Sequence, residues 1–405
     1  MGSSSISSWV ACVGVIIFSL YALAVSHYKL DIAATVCWLP AVVLFNFAVV
    51  RLGRGFYPAS FNTDITRHQA SVLKSKRFRL VGMPISHFVE KVRWCMDIIK
   101  CPYEETTAGG LLTMFGRGRS VPFLIDSESC SVIGNSDEII MYLHGVFVPA
   151  LLASLPPAEA GPAAAAKRLA VNKLFERTDE TIEFERELNT FGHAIQGWAY
   201  SYHLSLFTNP NPSTTFLAWG GAEPRVSALE RLIIWLLYPL FRVALNITFQ
   251  LTDEKLREAR RAVICAMLDK VDAMLVRQKE RYVARLPKTR SRSPKGRGQP
   301  AGESSEDYQP FLFGDHISYV DLTFCALVAP LVGFSVVFPK DGSQSLYAAG
   351  RFSSFRCFPG QTVRNDVLKD PQEPIVKLEE EIISNRPCGQ YIMNMYRNHR
   401  KTPII

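Results

Sequence analysis

The sequence lacks any paired arrangement of cysteines. None of its nine cysteines belongs to a CxxC motif or to a Cys/His spacing typical of zinc sites. An odd number spread over 405 residues also does not fit the disulfide framework of a small secreted domain. We therefore predict reduced structural thiols in a protein whose body faces the cytosol, and no bound metal.

Charged side chains are sparse, at 20% of the chain, whereas 48% of the residues are hydrophobic. This composition excludes a mostly disordered chain, and the length suggests two or three domains around a sizeable core. The net charge of +8 is concentrated in residues 51–79 and 285–297, which carry +6 each and leave −4 for the rest. The second segment has no interleaved aromatic residues, which argues against nucleic-acid binding.

Two long runs lack charge altogether. Trp9–Val25 and Ile32–Val50 contain 17 and 19 residues, close to the length of about 20 that a membrane span needs. The basic residues after the second run place the rest of the chain in the cytosol. We predict a helical hairpin anchor over residues 1–54 in the endoplasmic reticulum or another endomembrane. Alternatively, the small-residue triplet 22–24 marks a cleaved signal peptide, which would leave one span.

Three further segments shape the organisation. Residues 55–75 are predicted to be a basic linker. Residues 285–309, rich in Pro, Gly, Ser and Arg, are predicted to be a disordered insertion that contacts anionic lipid. The apolar passage 232–241 has ten residues, too few to span a bilayer. It is either a buried helix kinked near Pro239 or an interfacial helix on the membrane.

The pattern of residues 77–145 predicts the order β-α-β-loop-β-β-α. Ser86 is a natural N-cap, with Glu90 in the first helical turn. The predicted elements are a strand at 77–82, a helix at 87–99, an extended piece from Pro102, strands at 121–126 and 131–134, and a helix at 136–144.

Helical patterns dominate the remainder of the chain. A capping-box spacing joins Ser318 to Asp321 at the start of a nearly wholly apolar helix, as expected for a buried central helix. Three helical stretches are predicted, over residues 167–205, 256–283 and 318–332.

Four motifs together resemble one family. They are Ser-His-Phe-Val-Glu-Lys-Val-Arg at 86–93, Ser-Val-Pro-Phe-Leu at 120–124, Asn-Ser-Asp-Glu-Ile-Ile-Met-Tyr-Leu at 135–143, and the passage 311–323 with its capping box. In this order they look like glutathione S-transferases of the serine type. The resemblance implies an α/β thioredoxin-like domain over residues 76–150, followed by an all-α domain over 160–405.

The resemblance also implies a site. Ser86 corresponds to the catalytic serine, whose hydroxyl would stabilise the glutathione thiolate at a helix N-terminus. Val121 and Pro122 match a cis-proline turn that pairs with the tripeptide backbone. Asn135 and Ser136 match the site of the γ-glutamyl end, and Arg119 could meet the glycyl carboxylate. A mere N-cap remains the alternative for Ser86, and a solvated side chain the alternative for Arg119.

Two positions depart from the family pattern. His87 replaces the usual proline after the serine, and Asn135 replaces a frequent acid at the position that the resemblance assigns to the substrate ammonium. The aromatic residues Trp198, Tyr200 and Tyr202 could line a site for an apolar electrophile or belong to the core, and core is the safer interpretation.

The function predicted by the resemblance is a membrane-tethered glutathione transferase that conjugates glutathione, as co-substrate, to a lipophilic electrophile. Its partners would be glutathione, an apolar small molecule and membrane lipid, and it could form a homodimer as family members often do. The alternative is a catalytically silent adaptor with a transferase-like fold. A thiol oxidoreductase is a weaker alternative, because that activity needs a nucleophilic cysteine where this chain has Ser86.

Overall fold

The computed structural model of the protein describes residues 77–82, 86–107, 121–203, 242–243, 245–285, 311–337, 373–400 and 402–405. The predicted membrane anchor, the basic linker, the apolar passage 232–241 and all but the first residue of the predicted insertion lie outside these residues.

A four-stranded mixed sheet forms the first half of the described body. Strands β1 (Phe78–Gly82), β2 (Tyr103–Thr107), β3 (Phe123–Asp126) and β4 (Ser131–Gly134) are arranged in the order β2-β1-β3-β4. β1 runs parallel to β2 and antiparallel to β3, and β3 is antiparallel to β4. Phe78 and Leu80 of β1 are almost inaccessible and lie on one face of the sheet, while Val81 on the other face is also buried.

Two helices pack with this sheet. Helix α1 (His87–Ile98) connects β1 to β2, and helix α2 (Ser136–Ser154) follows β4. The strand order, the strand directions and these helices fit a thioredoxin-like arrangement. The strand predicted from residue 121 begins at Phe123, because residues 121–122 precede the ladder, and the helix predicted to end at 144 continues to Ser154 through Pro149.

The second half is helical. The predicted single stretch 167–205 is wrong, because the chain forms two helices that are interrupted at residues 175–178. The described residues of this half include the helices α3 (Pro162–Leu174), α4 (Asp179–His203), α5 (Glu254–Arg285), α6 (Tyr319–Val337), α7 (Glu373–Asn385) and α8 (Pro387–Asn394), and a π-helical turn, Met395–His399, follows α8.

The capping box before α6 forms as its spacing predicts. Asp321 is fully buried and accepts hydrogen bonds from the backbone N–H groups of Ser318 and Leu312, both at 2.8 Å. The hydroxyls of Ser318 and Tyr391 also donate to it, the latter at 2.5 Å. The carboxylate therefore fixes the loop 311–318, the start of α6 and helix α8 relative to one another.

One apolar core continues from the sheet into the helical half. α6 lies at its centre, and its residues from Val320 to Val328 are buried, as the apolar composition of this helix predicts. The core includes side chains of α1, α4, α5 and α8. The two halves are therefore joined by packing rather than only by the chain.

Helix length and composition mark one candidate membrane span among the described residues, Ser136–Ala160, and 22% of its apolar 18-residue window is buried. Its residues Ile139, Ile140, Leu143 and Val148 pack in the apolar core. This segment includes α2, which follows β4 and packs in the core, so α2 is part of the thioredoxin-like half.

Candidate functional site

Sheet register brings three of the predicted segments to one end of the sheet. Val81 near the end of β1 and Gly134 at the end of β4 both pair with Phe123, the first residue of β3. The chain therefore leaves β1 toward Ser86, enters β3 from Val121 and Pro122, and leaves β4 into Asn135 and Ser136 at the same edge. Their common position is a property of the antiparallel pairing of β3.

Ser86 is the N-cap residue of α1. Its hydroxyl oxygen accepts a hydrogen bond from the Val89 N–H at 3.4 Å, and its backbone is extended, with φ −71° and ψ 118°. A hydroxyl oxygen can accept one hydrogen bond while its O–H group donates another. The capping role and donation to a bound sulfur are therefore compatible at this residue, which is partly exposed.

The first turn of α1 is pressed against the end of β1. A methyl group on Gly82 would meet the two Cγ atoms of Val89 at 2.6 and 2.7 Å. Only a residue without a side chain allows the helix to begin this close to the strand. The glycine that closes β1 thus helps to set the position of Ser86.

His87 joins this turn to the helical half. Its Nε2 lies 3.2 Å from the Gly192 carbonyl oxygen of α4. Because a carbonyl only accepts, Nε2 carries the proton of the neutral ring. Burial lowers the pKa of His87 to about 4, so the ring is uncharged at neutral pH. The residue that departs from the family pattern makes a contact between the two halves.

The Val121–Pro122 peptide bond is cis, as the resemblance implies. Pro122 is buried, whereas Val121 is partly exposed at the sheet edge. Arg119 lies outside the described residues, so its predicted contact with a carboxylate remains a prediction.

Asn135 and Ser136 form the start of α2. Asn135 has a positive φ of 59° and does not cap the helix with its side chain, which instead donates to Glu138 Oε1 at 3.2 Å. Ser136 is only 5% exposed. The first backbone N–H groups of a helix have no acceptor within it. The start of α2 can therefore bind a carboxylate through its backbone more readily than through the Ser136 hydroxyl.

Trp198, Tyr200 and Tyr202 of α4 all pack against apolar side chains, Tyr200 in a small separate cluster around Leu251. Trp198 and Tyr202 pack edge to face at 5.0 Å, and both contact the core, which confirms the safer interpretation. Nearer to the first turn of α1, the Phe88 ring lies 5.2 Å from the ring of His193, an exposed residue of α4. No local pattern in the sequence indicates this pair, because only the packing of α4 on α1 brings the two rings together.

Ion pairs inside the molecule were also not predicted. Glu90, expected to interact with the helix N-terminus, is buried and accepts from Arg400 Nε at 2.7 Å. Lys91 is buried and donates to Glu185 Oε1 at 3.0 Å. The partners are separated by 310 and 94 residues. No local pattern signals such contacts.

The six described cysteines are all free thiols. Cys95 of α1 is fully buried, and desolvation raises the pKa of its thiol to about 12, so it is not a reactive thiolate. Within the described ranges, no group of three or more His, Cys, Asp or Glu side chains could hold a metal ion.

Comparisons with known proteins find distant structural likenesses. No family model and no curated protein matches the chain. A search of solved structures finds Ure2p5 of Phanerochaete chrysosporium cocrystallized with 1-(S-glutathionyl)-2,4-dinitrobenzene, at 12% identity and a TM-score of 0.35 over 80% of this chain and 95% of that one. A glutathione S-transferase of Ceriporiopsis subvermispora in complex with glutathione is 13% identical, with a TM-score of 0.31 over 72% and 98%.

Poplar glutathione transferase F1 is 14% identical to this chain, with a TM-score of 0.29 over 80% of this chain and all of that one. Likenesses this distant carry no functional argument.

Proposed function

We propose that the protein is a glutathione transferase-like enzyme in which Ser86 stabilises the glutathione thiolate. The observation that carries the proposal is the sheet register, which gathers the start of α1, the Val121–Pro122 turn and the start of α2 at one edge. A γ-glutamyl tripeptide has carboxylates at both ends and a thiol in the middle. The N-termini of α1 and α2, with the Val121–Pro122 turn beside them, suit such an anion.

Each matched segment would take one part of the tripeptide. The start of α2 would hold the γ-glutamyl carboxylate, the backbone of Val121 would pair with the cysteinyl backbone, and Ser86 would donate its O–H to the sulfur. Arg119 would bind the glycyl carboxylate. A thiol is mostly protonated at neutral pH, so a hydrogen-bond donor and a helix N-terminus that favour the thiolate would raise the concentration of nucleophile.

The thiolate would attack an electrophilic carbon of the second substrate, forming a carbon–sulfur bond as the leaving group departs with its electron pair. An apolar electrophile beside Ser86 would contact Phe88 and His193. A lipophilic substrate also fits the predicted membrane anchor, since such molecules concentrate in lipid. Alkaline extraction of membranes tests the anchor: the full chain should stay with the lipid, and a chain lacking residues 1–54 should be released.

Three substitutions of Ser86 separate catalysis from helix capping. Ser86→Ala removes both roles, Ser86→Thr retains both, and Ser86→Asp caps the helix well but offers no hydroxyl and repels a thiolate. The detergent-solubilised full chain would be assayed with glutathione and a chlorodinitrobenzene. We expect a loss of about a hundredfold in kcat/KM for Ala and Asp, and retained activity for Thr.

Full activity in a folded Ser86→Asp variant would refute the catalytic role of the hydroxyl. Retention of the wild-type protein on immobilised glutathione separates the proposal from its alternative. A silent adaptor with a degraded pocket would pass through the column, whereas the enzyme would bind and would be eluted by free glutathione.

A further inference from the structure

The C-terminal segment folds back along helix α1. We call residues 395–400 and 402–405 the C-terminal clasp. Its Arg400 is 2% exposed, donates from Nε to Glu90 Oε1 at 2.7 Å, and donates from Nη1 to Asp97 Oδ2 at 2.8 Å. Its guanidinium carbon lies 5.4 Å from the centre of the Trp94 ring. Glu90, Trp94 and Asp97 lie on one face of the helix, so a single arginine spans two helical turns.

Two further contacts fasten the clasp. The Tyr396 ring lies 4.8 Å from the Trp94 ring, and the Ile404 N–H donates to the Ile98 carbonyl at 3.0 Å. Ile98 is the last residue of α1, where carbonyl groups lack N–H donors within the helix. The clasp therefore binds α1 along its length and at its C-terminal end.

Glu90 places a buried negative charge one turn from Ser86. Its N–H donates to the Ser86 carbonyl at 3.0 Å, and the residue is 4% exposed. Its Oε2 lies 3.7 Å from Arg93 Nη1 and, among the described residues, accepts no hydrogen bond. Arg400 is thus the main counter-charge of this carboxylate. A negative charge in the first turn of α1 disfavours a second anion at the N-terminus of the same helix, here the thiolate.

The remaining charged groups around α1 are already paired. Asp97 accepts from the Tyr103 hydroxyl at 2.9 Å as well as from Arg400. On another face, Lys91 pairs with Glu185, which also meets Arg177 at 3.2 Å. Burial lowers the pKa of Arg400, but Glu90 and Asp97 more than compensate and raise it above its usual value, so the guanidinium stays charged.

From these contacts we infer that Arg400 is a positioning residue for the glutathione site. It neutralises Glu90 and holds the first turn of α1, so that the helix N-terminus and the Ser86 hydroxyl favour a thiolate. This inference rests on the proposed function and extends it, because it assigns to the C-terminal segment the electrostatic support of a site more than 300 residues earlier in the chain.

A double-mutant cycle tests this role. Arg400→Gln, Glu90→Gln and the double variant would be compared with wild type in the full chain. The readouts are the pH dependence of kcat/KM and the ultraviolet absorbance of bound thiolate. Arg400→Gln should raise the apparent pKa of the bound thiol by roughly one pH unit, about a tenfold loss of thiolate. Glu90→Gln should lower it, and the double variant should return close to wild type.

Arg386 supplies the matched control. It is also a C-terminal arginine that contacts three carboxylates, those of Asp269, Asp272 and Glu381, but it joins α8 to α5 and α7 rather than to α1. Arg386→Gln should lower the stability of the protein and leave the pKa of the bound thiol unchanged. An equal pKa change in both arginine variants would overturn the inference.

The outcomes separate the two proposals. If the wild type forms no glutathione thiolate, the proposed function fails. If the wild type forms the thiolate, and the pKa of the bound thiol in folded Arg400→Gln equals that of wild type, only the proposed role of Arg400 fails. Should Arg400→Gln not fold, the comparison passes to Arg400→Lys and to the double variant, which removes both charges of the Arg400–Glu90 pair. The electrostatic argument is contradicted if the double variant raises the pKa of the bound thiol by as much as is expected for Arg400→Gln.

Discussion

Lys91 of α1 and Glu185 of α4 form a buried ion pair, with 3.0 Å between Nζ and Oε1 and at most 5% of either side chain exposed. The pair connects the sheet half to the helical half beside the proposed site. Taking two charges out of water costs several kcal/mol per ion, so the pair depends on both partners being present.

Glu185→Gln should therefore destabilise the protein by about 3 to 5 kcal/mol, because Lys91 would be left buried without its counter-charge. Urea unfolding measures the change. The double substitution Lys91→Met with Glu185→Leu should recover the part of the loss that comes from Lys91, but not the part that comes from Arg177, which also pairs with Glu185 at 3.2 Å. Glu176→Gln is the control, since its exposed pair with Lys173 should contribute almost nothing. Equal effects of the two single substitutions would contradict this account.

The buried His87 should make stability depend on pH. Burial lowers the pKa of its folded form to about 4 from 6.5, so the unfolded chain binds a proton more readily between these values. Stability contributed by the neutral ring is therefore present above about pH 6.5 and is lost as the pH falls toward 4, by at most about 3 kcal/mol.

We call the loss of stability between about pH 6.5 and pH 4 the acid limb. His87→Gln should reduce it, while the glutamine amide keeps an N–H donor for the Gly192 carbonyl. His193→Gln, at an exposed neighbouring residue whose charge lowers the pKa of His87 less than burial does, should change the limb much less than His87→Gln. Urea midpoints measured from pH 7 to pH 4 compare the two variants. Because burial also lowers the pKa of His399, the limb should shrink rather than vanish in His87→Gln. A limb of the same size in His87→Gln and wild type would show that His87 is not its source.

Asp321 should be among the least replaceable carboxylates for stability. Asp321→Asn would turn an accepting oxygen into an NH₂ group that faces donors from Ser318, Leu312 or Tyr391. Unsatisfied buried donors at this site should cost about 3 kcal/mol. Thermal unfolding should show a clear loss for this variant and almost none for Asp315→Asn, which changes an exposed residue of the same loop.

Glycine substitutions test the close approach between β1 and α1. Gly82→Ala should destabilise the protein by about 1 to 3 kcal/mol, because the new methyl group would press on the stiff Val89 side chain and displace the first turn of α1. At Gly145 an added Cβ atom would meet no neighbouring atom within 4 Å. Gly145→Ala should therefore stabilise α2 by about 0.5 to 1 kcal/mol. Glutathione affinity should fall for the first variant only.

Local patterns predicted most of the secondary structure near the site. Ser86 was identified as an N-cap, and the strand at 131–134 and the helix from residue 87 were predicted from alternation and helical spacing. These features depend on neighbours within a few residues, which a sequence displays directly. The break at residues 175–178 and the continuation of α2 past residue 144 were missed, because packing against the core outweighs weak local preferences.

The chemistry around the site could be predicted only in part. The roles of Ser86, Val121 and Ser136 are implied by the resemblance and remain predictions, and the cis bond before Pro122 also follows from the resemblance rather than from composition. The contacts of His87 with Gly192 and of Phe88 with His193 could not be foreseen. They require α4 to cross the first turn of α1, and that crossing depends on the shape of a core assembled from distant helices.

The sequence by itself determined the order of strands and helices in the first half, the capping of α1 and α6, and the confinement of the positive charge to two segments. Each of these depends on residue types at short spacings. Only the tertiary structure decided that Glu90 would face Arg400 and that Lys91 would face Glu185. A buried charge is tolerated where the fold brings its partner to it, and the location of that partner is a property of the packed chain.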